Sequence, residues 1–105
     1  MIEVIFIGWH SDMNIHNHHD KIWIAFKVGD QYYCGWGRRG KSLKFKCHGK
    51  GEHGQSMINV LIDKKAKPYG NYVEIDSSKI NSIVPDFQNM VETQLVMATL
   101  KNTIM

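Results

Sequence analysis

Hydrophobic and polar residues alternate along much of the first half of the chain, a pattern typical of β-strands. The clearest alternation is K-I-W-I-A-F-K-V at 21–28, in which successive side chains point to opposite faces. A β-branched and aromatic stretch at 2–9 predicts a strand before it, and residues 31–37 and 42–48 predict two more. Residues 10–20 are polar and turn-prone, so they are predicted to form a loop between the first two strands.

Gly29-Asp30 is a two-residue turn signal, which predicts a hairpin between the second and third strands. A two-residue turn fixes which residues face each other and which side chains share a face. The predicted pairs on one face are Lys27 with Tyr32, Ala25 with Cys34, Trp23 with Trp36, and Lys21 with Arg38. The opposite face would then carry Ile22, Ile24, Phe26 and Val28.

The second half of the chain changes to helical spacing. Gly49 to Gly54 reads as a glycine-rich loop, followed by a helix at about 57–67 that Ser56 would cap and Pro68 would end. Its buried stripe is predicted to be Met57, Val60 and Leu61, with Lys64, Lys65 and Lys67 at the C-terminal end, where the helix dipole favours cations.

A short strand at 69–75, a helical turn opened by one of residues 76–78 and an amphipathic helix from Pro85 complete the chain. The inward side of that last helix is predicted to be Phe87, Met90, Val91, Leu95 and Ala98. A chain of 105 residues forms one core. The sequence therefore predicts an α+β fold: an antiparallel β-sheet with one packed helix and an additional C-terminal helix.

The net charge of +3 conceals an uneven distribution. Residues 21–67 hold eleven of the thirteen Lys and Arg and only three acids, whereas residues 1–20 and 68–105 are each net acidic. A basic middle segment favours a polyanionic partner. The alternative is a solvated, lysine-rich face with no ligand.

Composition excludes several other classes. The two cysteines, Cys34 and Cys47, have no CxxC spacing and suit a reducing compartment, so a cytoplasmic location is expected. The apolar N-terminus lacks a basic segment and a cleavage site, and no apolar run reaches the roughly 18 residues of a membrane span. No nucleophile elbow, phosphate loop or HExxH motif is present. We therefore expect no enzymatic activity, no cofactor and no membrane partner.

A histidine-rich stretch, H-N-H-H-D at 16–20, contains side chains that ligate zinc or nickel. No pair has a standard zinc spacing, and Cys34 and Cys47 fall in separate strands. A polar loop is the preferred interpretation, with a metal-dependent enzyme as a minor alternative, and no metal ligand is predicted.

The segment Trp36-Gly37-Arg38, in its strand context, resembles the WGR domain, a nucleic-acid-binding module found in DNA-repair poly(ADP-ribose) polymerases and in bacterial stand-alone proteins. His19-Asp20-Lys21-Ile22-Trp23 is similar to the family's entry into its second strand. Lys64-Lys65 and Gly70-Asn71-Tyr72 are similar to its lysine-rich helix and closing Gly-Tyr. The resemblance implies a WGR-like domain at 1–76 and a C-terminal helical extension at 77–105 packed on the same domain.

The resemblance also implies sequence-independent contact with the backbone or ends of nucleic acid, with DNA favoured over RNA. Trp36 would stack on a base or sugar, and Arg38 would hold phosphate. The implied surface also includes Arg39, Lys21, Trp23 and Lys41. Two features depart from the family: Asp20 places an acid near the phosphate site, and a Gly-Gln pair comes only at Gly54-Gln55. A tryptophan held inside the core remains the alternative for Trp36.

A protein-interaction module, acting as an adaptor or inhibitor, is the rival hypothesis. It would use the sheet or the Met-rich C-terminal segment, which carries Met90, Met97 and Met105, since Met side chains adapt to varied surfaces. The alternative for that segment is a helix that only covers the sheet. The sequence defines no oligomeric state.

Overall fold

The structure is a computed structural model that describes the backbone of residues 2–14 and 17–104 and the side chains of residues 2–11 and 20–97. Its five strands form one antiparallel sheet in the spatial order β4-β3-β2-β1-β5, so that β4 and β5 are the edges. The strands are β1 (Ile2–Asn14), β2 (Asn17–Val28), β3 (Gln31–Arg38), β4 (Lys44–Lys50) and β5 (Val73–Ile75). With the helices described below, this confirms the α+β fold expected from the sequence.

The first hairpin is longer than predicted. Residues 10–14 and 17–20, expected to be loop, continue β1 and β2, with Ser11 opposite Asp20 and Asn14 opposite Asn17. The ladder is made by backbone N–H and C=O groups, which every residue here carries, so polar side chains do not end it. The histidine-rich stretch that was considered as a metal site lies largely outside the residues whose side chains are described.

The second hairpin has the predicted register. Trp23 faces Trp36 and Lys21 faces Arg38 across β2 and β3. The turn between the strands places Gly29 at a φ of 63°, which glycine adopts without the steric cost that a Cβ brings. The short turn leaves no freedom to slip, and this is why the pairing could be derived from the sequence.

Three helices and one short turn complete the fold. They are α1 (Gly51–Lys65), a 3-10 turn (Ser77–Lys79), α2 (Ile80–Ile83) and α3 (Phe87–Ile104). The predicted helical turn begins at Asp76, whose carboxylate accepts a hydrogen bond of 2.9 Å from the backbone N–H of Ser78. The predicted strand at 69–75 is shorter, because only its last three residues pair with β1.

Helix α1 begins six residues earlier than predicted and is rotated about its axis. The backbone N–H of Gly51 donates to the carbonyl of Asp30, 2.9 Å away, which ties the start of the helix to the β2–β3 turn. A Cβ on Gly54 would lie 2.5 Å from the Gly49 carbonyl oxygen. The glycine-rich segment is therefore a close helix–strand contact rather than a loop. Ile58 is the fully buried residue, while Met57 and Val60 are 42% and 51% exposed.

The sheet is covered on both faces. On one face, called the α1 face, Ile58 packs with a cluster from β1, β2 and β3: Phe6, Trp23, Ala25, Tyr32 and Cys34. On the other, called the α3 face, Val84, Phe87 and Val91 pack on Ile7, Ile22, Ile24 and Phe26. The amphipathic C-terminal helix thus packs on the sheet with the predicted residues Phe87 and Val91 inward.

Candidate functional site

The α1 face is left uncovered at the end of the sheet where β3 finishes. Trp23 and Trp36 are neighbours on this face, yet their exposed fractions are 3% and 36%. Trp23 lies under α1 and contacts the ring of Phe6, with the ring centroids 5.8 Å apart. Its indole is therefore part of the core, and of these two rings Trp36 is the one more exposed to solvent. This answers the orientation question that the sequence left open for Trp36.

Two adjoining cavities flank the Trp36 ring, and together we call them the Trp36 groove. One has a volume of about 350 Å³ and the other about 260 Å³. The side chains of Trp36 and Tyr72 line both. The larger cavity is completed by Lys21, Gly37, Arg38, Ser42 and Lys44. The smaller is completed by Trp23, Cys34, Lys46, His48, Leu61 and Lys65.

The charge of the groove is one-sided. Five of its lining side chains are cationic, and no Asp or Glu is found among the described residues that line either cavity. The cations come from four elements: Lys21 from β2, Arg38 from β3, Lys44 and Lys46 from β4, and Lys65 from α1. Fields of like-charged groups in a concave surface add together and attract anions.

The side chain of Tyr72 lies against Gly8 of β1, and it lines both cavities of the groove. A Cβ on Gly8 would lie 2.7 Å from the Cβ of Tyr72 and 2.9 Å from the Phe6 ring, so only glycine leaves room for this contact. Two backbone hydrogen bonds of 3.0 Å each, to Lys65 and from Lys67, fasten Tyr72 to the end of α1. Burial raises the pKa of the Tyr72 hydroxyl, so this group stays protonated and able to donate a hydrogen bond.

A cysteine–histidine pair lies at the inner end of the smaller cavity. The Sγ of Cys34 and the Nε2 of His48 are 3.1 Å apart. Burial raises the pKa of the Cys34 thiol, and burial, followed by the nearby charge of Lys46, lowers the pKa of His48. Both shifts favour the neutral forms, whereas a nucleophilic cysteine needs its thiolate. The pair is best described as a hydrogen bond between a neutral thiol and a neutral imidazole.

Arg39 lies on the other side of the sheet. Its Nε atom is 3.1 and 3.2 Å from the two carboxylate oxygens of Asp20, and its guanidinium stacks 5.2 Å from the centre of the Trp9 ring. Trp9 packs against the α3-face core. Since side chains alternate along a strand, Arg38 and Arg39 face opposite ways. Arg39 and Asp20 thus form an ion pair on the α3 face.

Of the six residues predicted for the site, four line the groove: Trp36, Arg38 and Lys21 at the larger cavity, and Trp23 at the smaller. Arg39 is on the α3 face, and Lys41 is exposed in the turn after β3, outside both cavities. The sequence predicts a solvated strand face for Lys44 and Lys46, with a secondary electrostatic role as the alternative, and it assigns no ligand contact to Lys65 or Tyr72. The alternation of β4 was the available signal, because it places both lysines on the same face as Trp36.

The described residues show neither a metal centre nor a membrane-spanning helix. No cluster of three or more His, Cys, Asp or Glu side chains there is placed to hold a metal ion. None of the helices in the described part of the chain has the length and apolar character needed to cross a membrane.

Comparisons of the chain with protein-family models, with curated proteins and with solved structures find no match. The similarity to the WGR domain therefore stays a prediction from the residues quoted above. Any function assigned to the Trp36 groove has to be argued from its own geometry and charge.

Proposed function

We propose that this chain is a small, non-catalytic nucleic-acid-binding module that uses the Trp36 groove. The observation that carries the proposal is a concave surface with five cations, no acid among its described lining residues and a partly exposed tryptophan at its centre. Lysine and arginine attract phosphate, and an indole face stacks on any base. This is the combination that sequence-independent binding requires.

The residues have separate roles in this proposal. Trp36 stacks on a base or sugar, Arg38 makes paired hydrogen bonds to phosphate, and the four lysines of the groove add charge. Trp23 supports the smaller cavity from the core, whereas Arg39 and Lys41 are left out of the contact surface, which narrows the surface implied by the WGR resemblance. DNA is the favoured ligand on that resemblance. Both described cysteines are free thiols, as expected for a protein located in the reducing cytoplasm.

Salt dependence is the first test. We expect a fluorescently labelled short oligonucleotide to bind with a log–log salt slope of roughly −3.5 to −4.5 if all five cations engage phosphate. Replacing Lys44 with Gln should make the slope shallower by about 1, because one fewer counterion is released. Fluorescence anisotropy over a salt series measures this. Lys79→Gln is the matched control, since Lys79 lies on the 3-10 turn and lines neither cavity.

The tryptophan is tested in the same assay. Trp36→Ala should weaken binding by about 1–3 kcal/mol, the value of one base–aromatic stack, or roughly 5- to 150-fold. Trp36→Phe keeps a flat ring and should retain much of the affinity. Circular dichroism melting confirms that each variant is folded. If binding is insensitive to salt, or if folded Trp36→Ala binds as tightly as the wild type, the proposal is rejected.

The rival function has one observation in its favour. Val96 and Met97, on the outer side of α3, are 56% and 57% exposed, so this helix presents apolar side chains to solvent as well as to the sheet. A protein partner docked there would be insensitive to Trp36→Ala. Affinity capture with Met97→Asp as the comparison variant distinguishes it from the nucleic-acid proposal.

A further inference from the structure

The shape of the Trp36 groove bears on the kind of nucleic acid that fits it. About two thirds of Trp36 is covered by its neighbours, since its exposed fraction is 36%. Its ring forms a wall shared by two cavities of about 350 and 260 Å³. A base that stacks on the ring has to enter the groove between these cavities, where only part of the ring is uncovered.

Bases inside a duplex cannot make that entry without cost. They are stacked on their neighbours and paired, and extruding one costs a few kcal/mol, least when the base is already unpaired. A blunt end presents a whole base pair, which needs a broad, open aromatic platform. The uncovered part of the Trp36 ring, with lysines and Tyr72 along the two cavities beside it, offers room for a single base.

The cations are arranged on both sides of the ring. Lys21, Arg38 and Lys44 line one cavity, while Lys46 and Lys65 line the other. Lys44 and Lys46 are two residues apart on β4, and thus roughly 6.7 Å apart along the strand. This is close to the step between neighbouring phosphates of one nucleic-acid strand. Each cavity therefore supplies charge to one of the two phosphates that flank a base stacked on Trp36.

We propose that the Trp36 groove selects an unpaired nucleotide: a single strand, or the single-stranded overhang of a duplex, with one base against Trp36 and its flanking phosphates in the two cavities. This inference rests on the proposed function and adds a ligand class to it. Tyr72 lines both cavities and, as a protonated hydroxyl, donates a hydrogen bond to the base or to a phosphate. The chemistry is shared by DNA and RNA.

The test compares four probes of one sequence on the wild-type protein: single-stranded DNA, single-stranded RNA, a blunt duplex and a duplex with an overhang. We expect the two single strands and the overhang to bind at least tenfold more tightly than the blunt duplex in anisotropy titrations. Trp36→Ala should reduce this preference to less than threefold, whereas Lys44→Gln should weaken all four probes by similar factors. The ratio of the two single strands identifies the sugar that is preferred.

The outcomes separate the two proposals. If the blunt duplex binds as tightly as the single strands, and this binding is salt-sensitive and lost in Trp36→Ala, selection of an unpaired nucleotide is refuted while the proposed function stands. If no probe shows salt-sensitive binding, both the proposed function and the selection of an unpaired nucleotide are refuted. The comparison of probes uses the unmodified chain, so it does not depend on whether any variant folds. Trp36→Phe, which keeps the ring, should retain the preference for the single strand.

Discussion

Asp20 is held by side chains from two other parts of the sheet. It accepts a hydrogen bond of 2.6 Å from the indole N–H of Trp9, and both of its oxygens contact Arg39. The hydrogen bond from Trp9, and then those from Arg39 and the charges of Arg39 and Arg38, hold the pKa of Asp20 below its usual range. Strands β1 and β2 and the turn after β3 are thereby linked at one corner of the sheet by a carboxylate that favours its charged form.

This link predicts a pH-dependent stability. Asp20→Asn should destabilise the protein by up to about 1 kcal/mol at pH 7, a small value because Asp20 and Arg39 are partly exposed. A lowered folded-state pKa gives stability that is present above the unfolded pKa of about 3.9 and is lost as the pH falls through the folded value. Urea denaturation at pH 7 and near pH 3 measures it. The difference between variant and wild type should shrink in acid, and a difference that grows there contradicts the assignment. Asp63→Asn, on the exposed side of α1, is the control.

At the residue scale, the sequence predicted that Arg38 pairs with Lys21 across the hairpin, but not that Arg39 lies on the opposite face of the sheet. The hairpin register was extended to Lys21 and Arg38 because the turn fixes it. The same alternation sends the next side chain to the other face, so Arg39 could have been removed from the site by the same reasoning. The partner that neutralises Arg39 could not be predicted, because Asp20 was expected in a loop. The strand there continues through polar residues instead.

At the scale of the elements, strand β1 needs a glycine at position 8 because Tyr72 packs closely against it. A methyl group at Gly8 would meet the Cβ of Tyr72, an atom close to the backbone that cannot rotate away. Gly8→Ala should therefore cost about 1–3 kcal/mol through overpacking, and it should also weaken oligonucleotide binding because Tyr72 is displaced from the groove. Urea denaturation and anisotropy give the two numbers.

The control for this change is Glu3→Ala, at an exposed position on the same strand, which should alter stability by no more than about 0.5 kcal/mol. If Gly8→Ala is as stable as the wild type and binds equally well, Tyr72 does not depend on the contact at Gly8. If Gly8→Ala loses binding but keeps its stability, Tyr72 contributes to the groove, and the expected loss of stability through overpacking is contradicted.

The start of α1 could not be predicted from the sequence, for a reason that lies outside the helix. Gly49, Gly51 and Gly54 are poor helix formers and favour a loop on local grounds. Gly54 is used instead for close approach to the Gly49 carbonyl, and Gly49 and Gly51 adopt positive φ angles of 109° and 61° at the strand–helix junction. Tertiary packing thus overrides local propensity here, and it also sets the rotation that buries Ile58 and exposes Met57.

For the molecule as a whole, the C-terminal segment is part of the core rather than an appendage. Phe87 is 3% exposed, and its ring meets that of Phe26 edge-on with the centroids 5.2 Å apart. Phe87→Ala should cost about 3–5 kcal/mol, the usual loss when a buried phenylalanine is truncated. Urea denaturation measures it, with the exposed Val96→Ala as the control.

The same variant distinguishes core from docking roles. Molecules of Phe87→Ala that remain folded should bind oligonucleotide normally, because Phe87 lies on the α3 face and the groove lies on the α1 face. A loss of stability below about 1 kcal/mol would mean that α3 does not hold the sheet, and would return this helix to the role of a docking surface.

The sequence indicated the α+β class and the inward residues of α3 because periodicity reports which side of an element is apolar. It did not indicate that α1 and α3 cover opposite faces of the sheet. That choice depends on the whole topology and decides which tryptophan stays exposed. The residues predicted for the site therefore include Arg39 and Lys41, which do not line the groove, and omit Lys44, Lys46, Lys65 and Tyr72, which do.

Strand β4 forms one edge of the sheet, and its outer backbone groups would be a template for a strand of another chain. Lysines along such an edge oppose that pairing by charge repulsion, and β4 carries Lys44, Lys46 and Lys50. Two of these are the cations assigned to phosphate. If the proposed polyanion binds there, it would neutralise the charge that keeps this edge apart from others, and we expect the ligand-saturated protein to associate with itself more readily than the free protein.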